Sequence, residues 1–226
     1  MNAHNTNTGS LKLSFVVIAL STAMLMGCAT TIPAHHQGVA CASTLPNLSG
    51  LAWVEDDLFI GVHDAKRNSE KYYWPRISLV RLPTSELEGV AWQSLDLKFP
   101  GPDGPSSDLE SASRIPGGKG FLLDESGQEG EGARRIFFAV YRRGTLNIES
   151  QVPWPVPVEN VEASEVCQVG QQLVFLYAER AESLPSTKLR WATLSLNPLE
   201  FGAFKEVTYE GVDPVWKGAR PIVALT

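Results

Sequence analysis

Leu109-Glu110-Ser111-Ala112-Ser113-Arg114-Ile115, followed across Pro116-Gly117-Gly118-Lys119 by Gly120-Phe121-Leu122-Leu123-Asp124-Glu125, is the stretch that decides the fold. Two short apolar runs on either side of a Pro-Gly-Gly cluster read as two strands joined by a turn. The same pattern recurs on both sides. Upstream, Leu48-Ser49-Gly50-Leu51-Ala52-Trp53-Val54 passes through Glu55-Asp56-Asp57 into Leu58-Phe59-Ile60-Gly61-Val62-His63-Asp64. Downstream, Val161-Glu162-Ala163-Ser164-Glu165-Val166-Cys167 passes through Val169-Gly170-Gln171 into Leu173-Val174-Phe175-Leu176-Tyr177-Ala178-Glu179. The three starts, Leu48, Leu109 and Val161, lie 61 and 52 residues apart. Self-similarity at such a spacing marks a repeated supersecondary unit.

Each unit divides into four strands, near 48–54, 57–63, 76–82 and 89–97; 109–115, 119–124, 134–141 and 145–150; and 161–167, 172–178, 189–196 and 204–209. No stretch sustains a 3.6-residue apolar period, so helix is incidental. The fold class is therefore all-β. Repeated four-stranded antiparallel units describe propeller blades, whereas the rival β-sandwich would not need the repeat. The count gives three blades and a remnant, with Ala219-Arg220-Pro221-Ile222-Val223-Ala224-Leu225 resembling the first strand of a further unit. The expectation is a propeller-like domain over 45–226, incomplete as a ring. The outer face of its third unit should then be apolar, with Leu173–Ala178 and Leu189–Leu196 contributing to it.

Residues 1–27 have the form of a lipoprotein signal peptide. Lys12 supplies the positive charge, an apolar run begins at Leu13, and Leu25-Met26-Gly27-Cys28 forms the cleavage box. The run is short for a bilayer span. Cys28 is the expected lipidation site, and an ordinary signal peptide with a chance cysteine is the alternative. No aspartate follows Cys28, which points to the outer membrane, with the protein facing the periplasm. Residues 28–44 are small, polar and Pro-containing, and read as a tether.

Net charge is −6, and removal of residues 1–27 takes away Lys12 and no acid. No basic stripe or Arg-rich run is present, which argues against nucleic acid as a partner. Cys41 and Cys167 could pair in an oxidising compartment; two separate thiols are the other reading. No Gly-x-Ser-x-Gly elbow, phosphate-cradling Gly loop or zinc-spaced His/Cys cluster occurs. Trp154, between Pro153 and Pro155, reads as core edge in a linker.

The recurring openings Ser49-Gly50-Leu51-Ala52, Glu110-Ser111-Ala112-Ser113 and Glu162-Ala163-Ser164, each followed by an apolar strand ending in an acid, resemble those of the phytase-like β-propellers. Asp108-Leu109-Glu110 with Leu123-Asp124-Glu125-Ser126-Gly127 is the nearest match. The resemblance implies a calcium-dependent phosphoester hydrolase ancestry, with acidic residues holding Ca2+ at the channel mouth. Ser49 and Ala163 depart from the Glu-Gly pair that would sharpen it.

Strand pairing gives the acids a geometry of their own. The start of one antiparallel strand lies beside the end of the next. Glu110 should therefore neighbour Asp124 and Glu125, Glu162 should neighbour Glu179, and Ser49 should neighbour Asp64. Carboxylates converging on one mouth suit a hard cation such as calcium; solvated strand-end acids are the bland reading. Lys66, Arg67, Arg114 and Arg180 fall near the same mouth and would suit a phosphorylated small molecule, or would simply neutralise the acids. His63 is a base, a ligand or a packed strand-end residue. Two functions follow: a metal-dependent phosphoric ester hydrolase anchored in the envelope, or a non-catalytic propeller that binds a ligand or an envelope protein.

Overall fold

The computed structural model describes residues 47–65, 75–84, 89–118, 120–127, 134–179 and 187–209. The expected signal peptide and tether, with Cys28 and Cys41, lie outside them, as do Lys66, Arg67, Arg180 and the 219–225 strand. The described residues form strands and turns with no helix. The strands are β1 (Leu48–Glu55), β2 (Leu58–His63), β3 (Ile77–Arg81), β4 (Ala91–Leu95), β5 (Leu109–Arg114), β6 (Gly120–Glu125) and β7 (Arg135–Arg142). They continue with β8 (Thr145–Pro153), β9 (Val161–Val169), β10 (Gln172–Glu179), β11 (Thr187–Leu196), β12 (Leu199–Phe201) and β13 (Lys205–Tyr209).

Three antiparallel sheets result, ordered β1-β2-β3-β4, β5-β6-β7-β8 and β9-β10-β11-β12, with β13 also pairing β11. The four strands expected in each of the three units are present, and β12 is additional. Its run Leu199-Glu200-Phe201 is too short to stand out as a strand signal. The turn at Asn197-Pro198 nevertheless folds it onto the last residues of β11, while β13 takes the first five.

The first strands of the three sheets pack side by side, β1 against β5 and β5 against β9. Gly50 makes the first approach possible, because a Cβ there would meet the Ala112 backbone nitrogen at 3.0 Å and Ser111 Cα at 3.1 Å. Two apolar cores fill the two seams. Ile60, Val62, Leu109, Phe121, Leu123, Phe137 and Tyr141 belong to the first, and Leu122, Ile136, Trp154, Val166, Phe175 and Tyr177 to the second. Alternating residues of β6 and β7 thus serve opposite cores. That explains why Phe121-Leu122-Leu123 and Ile136-Phe137-Phe138 are continuously apolar: a strand covered on both faces has no polar side to show. Among the described residues no closed barrel or ring forms. On the outward face of the third sheet, Val174 and Leu176 are half-buried and Val207 is exposed.

One irregularity recurs in every sheet. Pairing skips Ser49 between Leu48 and Gly50, Glu110 between Leu109 and Ser111, and Glu162 between Val161 and Ala163. Each first strand therefore carries a bulge at its second residue. A bulge re-aims the side chain it leaves unpaired.

Candidate metal centre

The expected strand-end neighbours are in place. Leu48 pairs with His63, Leu109 with Glu125 and Val161 with Glu179. In the first sheet the Asp64 backbone N–H is shared between the Asn47 carbonyl (3.1 Å) and Ser49 Oγ (3.1 Å). The side chains, however, do not form one ring of carboxylates.

What converges is Asp64, Asp108 and Glu110, whose ligand oxygens all lie within 4.8 Å of one another. Three local features assemble them. A single β-bridge joins Asp64, just past β2, to Asp108, just before β5. The bulge in β5 re-aims Glu110. Ser126, at the end of β6, donates its hydroxyl to Asp108 Oδ2 and its backbone N–H to the Asp108 carbonyl at 3.1 Å. Asp108 is fully buried, and the other two are half-buried. Three hard oxygen donors in this space match the donor chemistry of a divalent cation such as calcium.

The other expected ligands go elsewhere, because neighbours on a strand face opposite ways. Glu125 turns toward the first core and takes Arg135 on both oxygens, Nη2 to Oε1 at 2.7 Å and Nε to Oε2 at 3.1 Å. Asp124 turns into the second seam, where it is fully buried. Glu179 pairs with Arg190 at 2.5 Å, and Arg190 also reaches Glu206 at 2.7 Å and the Tyr177 hydroxyl at 3.2 Å. The Arg190 hydrogen bond holds the Glu206 carboxyl below its usual range. Glu162 is half-buried at its own bulge, one seam away from the triad.

No family model matches the sequence, and no curated protein matches it.

Arg114, the basic candidate among the described residues, is four residues along β5 from Glu110. That is about 13 Å at strand rise, and its guanidinium lies 4.3 Å above the Trp53 ring. It therefore stands at the opposite end of the strand from the triad. His63 is packed, with no exposure and Nε2 2.7 Å from Ser78 Oγ. Trp154 is core, as its linker position implied, and stacks edge-on to Tyr177 at 4.8 Å. Cys167 is half-buried on β9, and its expected partner Cys41 lies outside the described residues. Burial and the neighbouring Glu165 push the Cys167 thiol's pKa up.

Asp108 is the carboxylate of the cluster that strand-end reasoning missed. It sits before its strand rather than within it, at the offset occupied by Asn47 and Asn160 in the other repeats. A polar residue immediately preceding each repeat was the available signal.

Proposed function

We propose that the chain is an envelope lipoprotein whose sheets are blades of a phytase-like β-propeller, with Asp64, Asp108 and Glu110 binding a calcium ion for phosphoester hydrolysis. The observation that carries this reading is the meeting of three carboxylates from two sheets in a space of 4.8 Å. Such a cluster is self-repelling unless a cation or protons intervene. The side-by-side first strands and the bulge repeated in all three sheets support blades of one repeat. A bound divalent cation would polarise a phosphoryl oxygen and acidify its own water. The chain's residues would hold it, with Ser126 orienting Asp108.

Calcium titration calorimetry on the purified full chain, beside a phosphatase assay with and without calcium, tests the proposal. Asp108→Asn should weaken calcium binding at least about tenfold, worth about 1.4 kcal/mol, while the strand content seen by circular dichroism persists. Calcium-dependent turnover lost in that variant supports the hydrolase. Binding without turnover supports the second reading, a non-catalytic propeller that binds a ligand or an envelope protein. The distance of Arg114 from the triad favours that second reading. The absence of any calcium binding removes the metal centre.

The anchor has its own test. Cys28→Ser should abolish lipid attachment and move the protein from the membrane to the soluble fraction of cells. The Leu25-to-Cys28 box after an apolar run motivates this. A mature wild-type protein that keeps residues 1–27, or carries an unmodified Cys28, would contradict it.

A further inference from the structure

We propose that two copies of the chain close into one ring, the outward face of each third sheet docking on the outward face of the other copy's first sheet. This rests on the reading of the sheets as blades and does not involve the metal centre. Strand register identifies equivalent residues in the three repeats. Ala52 pairs with Ile60, Ser113 with Leu122 and Glu165 with Leu176. One step along, Trp53 pairs with Phe59, Arg114 with Phe121 and Val166 with Phe175. Ile60, Leu122 and Leu176 are therefore one position of the repeat. Phe59, Phe121 and Phe175 are its neighbour, on the opposite face of each sheet.

Both seams are built from these two faces. Ile60 of the first sheet and Phe121 of the second belong to the first core, and Leu122 of the second and Phe175 of the third belong to the second core. Each sheet thus offers its Ile/Leu face to the sheet that follows and takes the preceding sheet on its Phe face. These four side chains are buried in the seams. Two members of the series are left over. Leu176 lies on the outward face of the third sheet and Phe59 on the outward face of the first, and both are only half-buried.

Each outward face extends across its sheet. On the third, Leu176 stands opposite Trp191 on β11, which is half-buried, and Val207 on β13 is 49% exposed. On the first, Phe59 stands opposite the buried Val80 on β3, and Val80 opposite the half-buried Trp92 on β4. Leu51, on the same face of β1, is 38% exposed. Among the described residues no further sheet stands against either face. Apolar faces of this breadth are uncommon on monomers. A lone strand-like run such as 219–225 offers one strand, whereas the second seam draws on β6, β7 and β8 from one side and β9, β10, β11 and β12 from the other. What matches an open Ile/Leu face is an open Phe face, and the chain carries one of each, on its two outer sheets.

Contact between two different faces is head-to-tail, and it ends in a ring when the rotation closes. Two copies of three sheets supply six, within the range of about four to eight blades that propeller rings use. Both junctions of that ring repeat the seams already present within each chain. A dissociated copy keeps one neighbour for each outer sheet.

Sedimentation equilibrium of the purified full chain in a density-matched detergent, over a series of concentrations, tests this. The expected mass is that of two chains. Leu51→Glu on one face and Val207→Lys on the other, both at exposed positions, should each raise the dimer dissociation constant at least about tenfold. A mixture of the two variants should regain dimers, because one of its junctions is unaltered and the other carries opposite charges on its two faces. Should a variant lose its strand content by circular dichroism, the wild type decides alone, and a single-chain mass at every concentration overturns the ring. A single-chain mass in samples that still bind calcium overturns the ring while leaving the metal centre standing. A dimer broken by only one of the variants would mean that like faces meet, and open assemblies larger than two chains would mean that the rotation does not close; either overturns the proposal.

Discussion

Replacing Arg135 with alanine is expected to lower the unfolding free energy by about 3–5 kcal/mol, the range for stripping one partner from a buried ion pair. Glu125 has no exposure and Arg135 about 5%. Glu125 receives three donors from this one residue: Nη2 at 2.7 Å, Nε at 3.1 Å and the Arg135 backbone N–H at 2.8 Å. Alanine keeps only the backbone donor. Arg135 Nη1 also fastens the 101–108 loop through the Gly104 carbonyl at 3.0 Å, so the loop that delivers Asp108 should loosen too. Against a total stability of about 5–15 kcal/mol for a domain, such a loss is a large fraction. The pair replacement Glu125→Leu with Arg135→Met should recover much of it, because no charge is then left buried. Urea denaturation of the three variants reads the result; a loss under about 1 kcal/mol for Arg135→Ala would mean that water reaches Glu125.

Trp154→Ala is expected to cost a similar amount, about 3–5 kcal/mol, by a different route. The indole fills the second core between Phe175, at a centroid distance of 5.8 Å, and Tyr177, at 4.8 Å. Its Nε1 donates to the Glu125 carbonyl at 3.0 Å. It is the bolt between the linker that enters β9 and the end of β6. Loss of the ring should release the third sheet before the first two, giving a broadened or two-step unfolding curve. A single sharp transition at unchanged midpoint would contradict that role. Because Trp154 and Arg135 both hold Glu125, the double variant should fall short of additivity.

The strands were legible because each run is bounded by residues with turn chemistry. Asp56 adopts φ 48° and Gly117 and Gly170 adopt φ 75° and 62°, conformations that Asp, Asn and Gly tolerate best. The burial of β6 and β7 on both faces was legible too, in their unbroken apolar runs. The site was legible only in part. That Glu110, Glu162 and Ser49 hold equivalent positions could be read from the repeat, and the bulges bear it out. That Asp124 and Glu125 could not both face one mouth was readable from alternation, and was missed. The meeting of Asp64 with Asp108 was not readable, because it depends on how two sheets dock rather than on any pairing within one. Arg190 and its partners are a different case: they meet within the third sheet, where Arg190 stands opposite Tyr177 on β10 and Glu206 on β13.

The two-faced burial of the second sheet bears on how the chain opens and closes over time. Amide hydrogens of β6 and β7 can exchange with solvent only after both flanking sheets have moved aside, whereas β3, β4 and β13 need shed only one neighbour. Exchange should therefore be graded, slowest for Phe121–Leu123 and Ile136–Ala139 and fastest at the outer strands. A middle layer of this kind also has no self-sufficient fragment on either side of it. Cutting the chain in the 101–108 loop would leave β5–β8 with one naked face, so neither half should hold its protected amides alone.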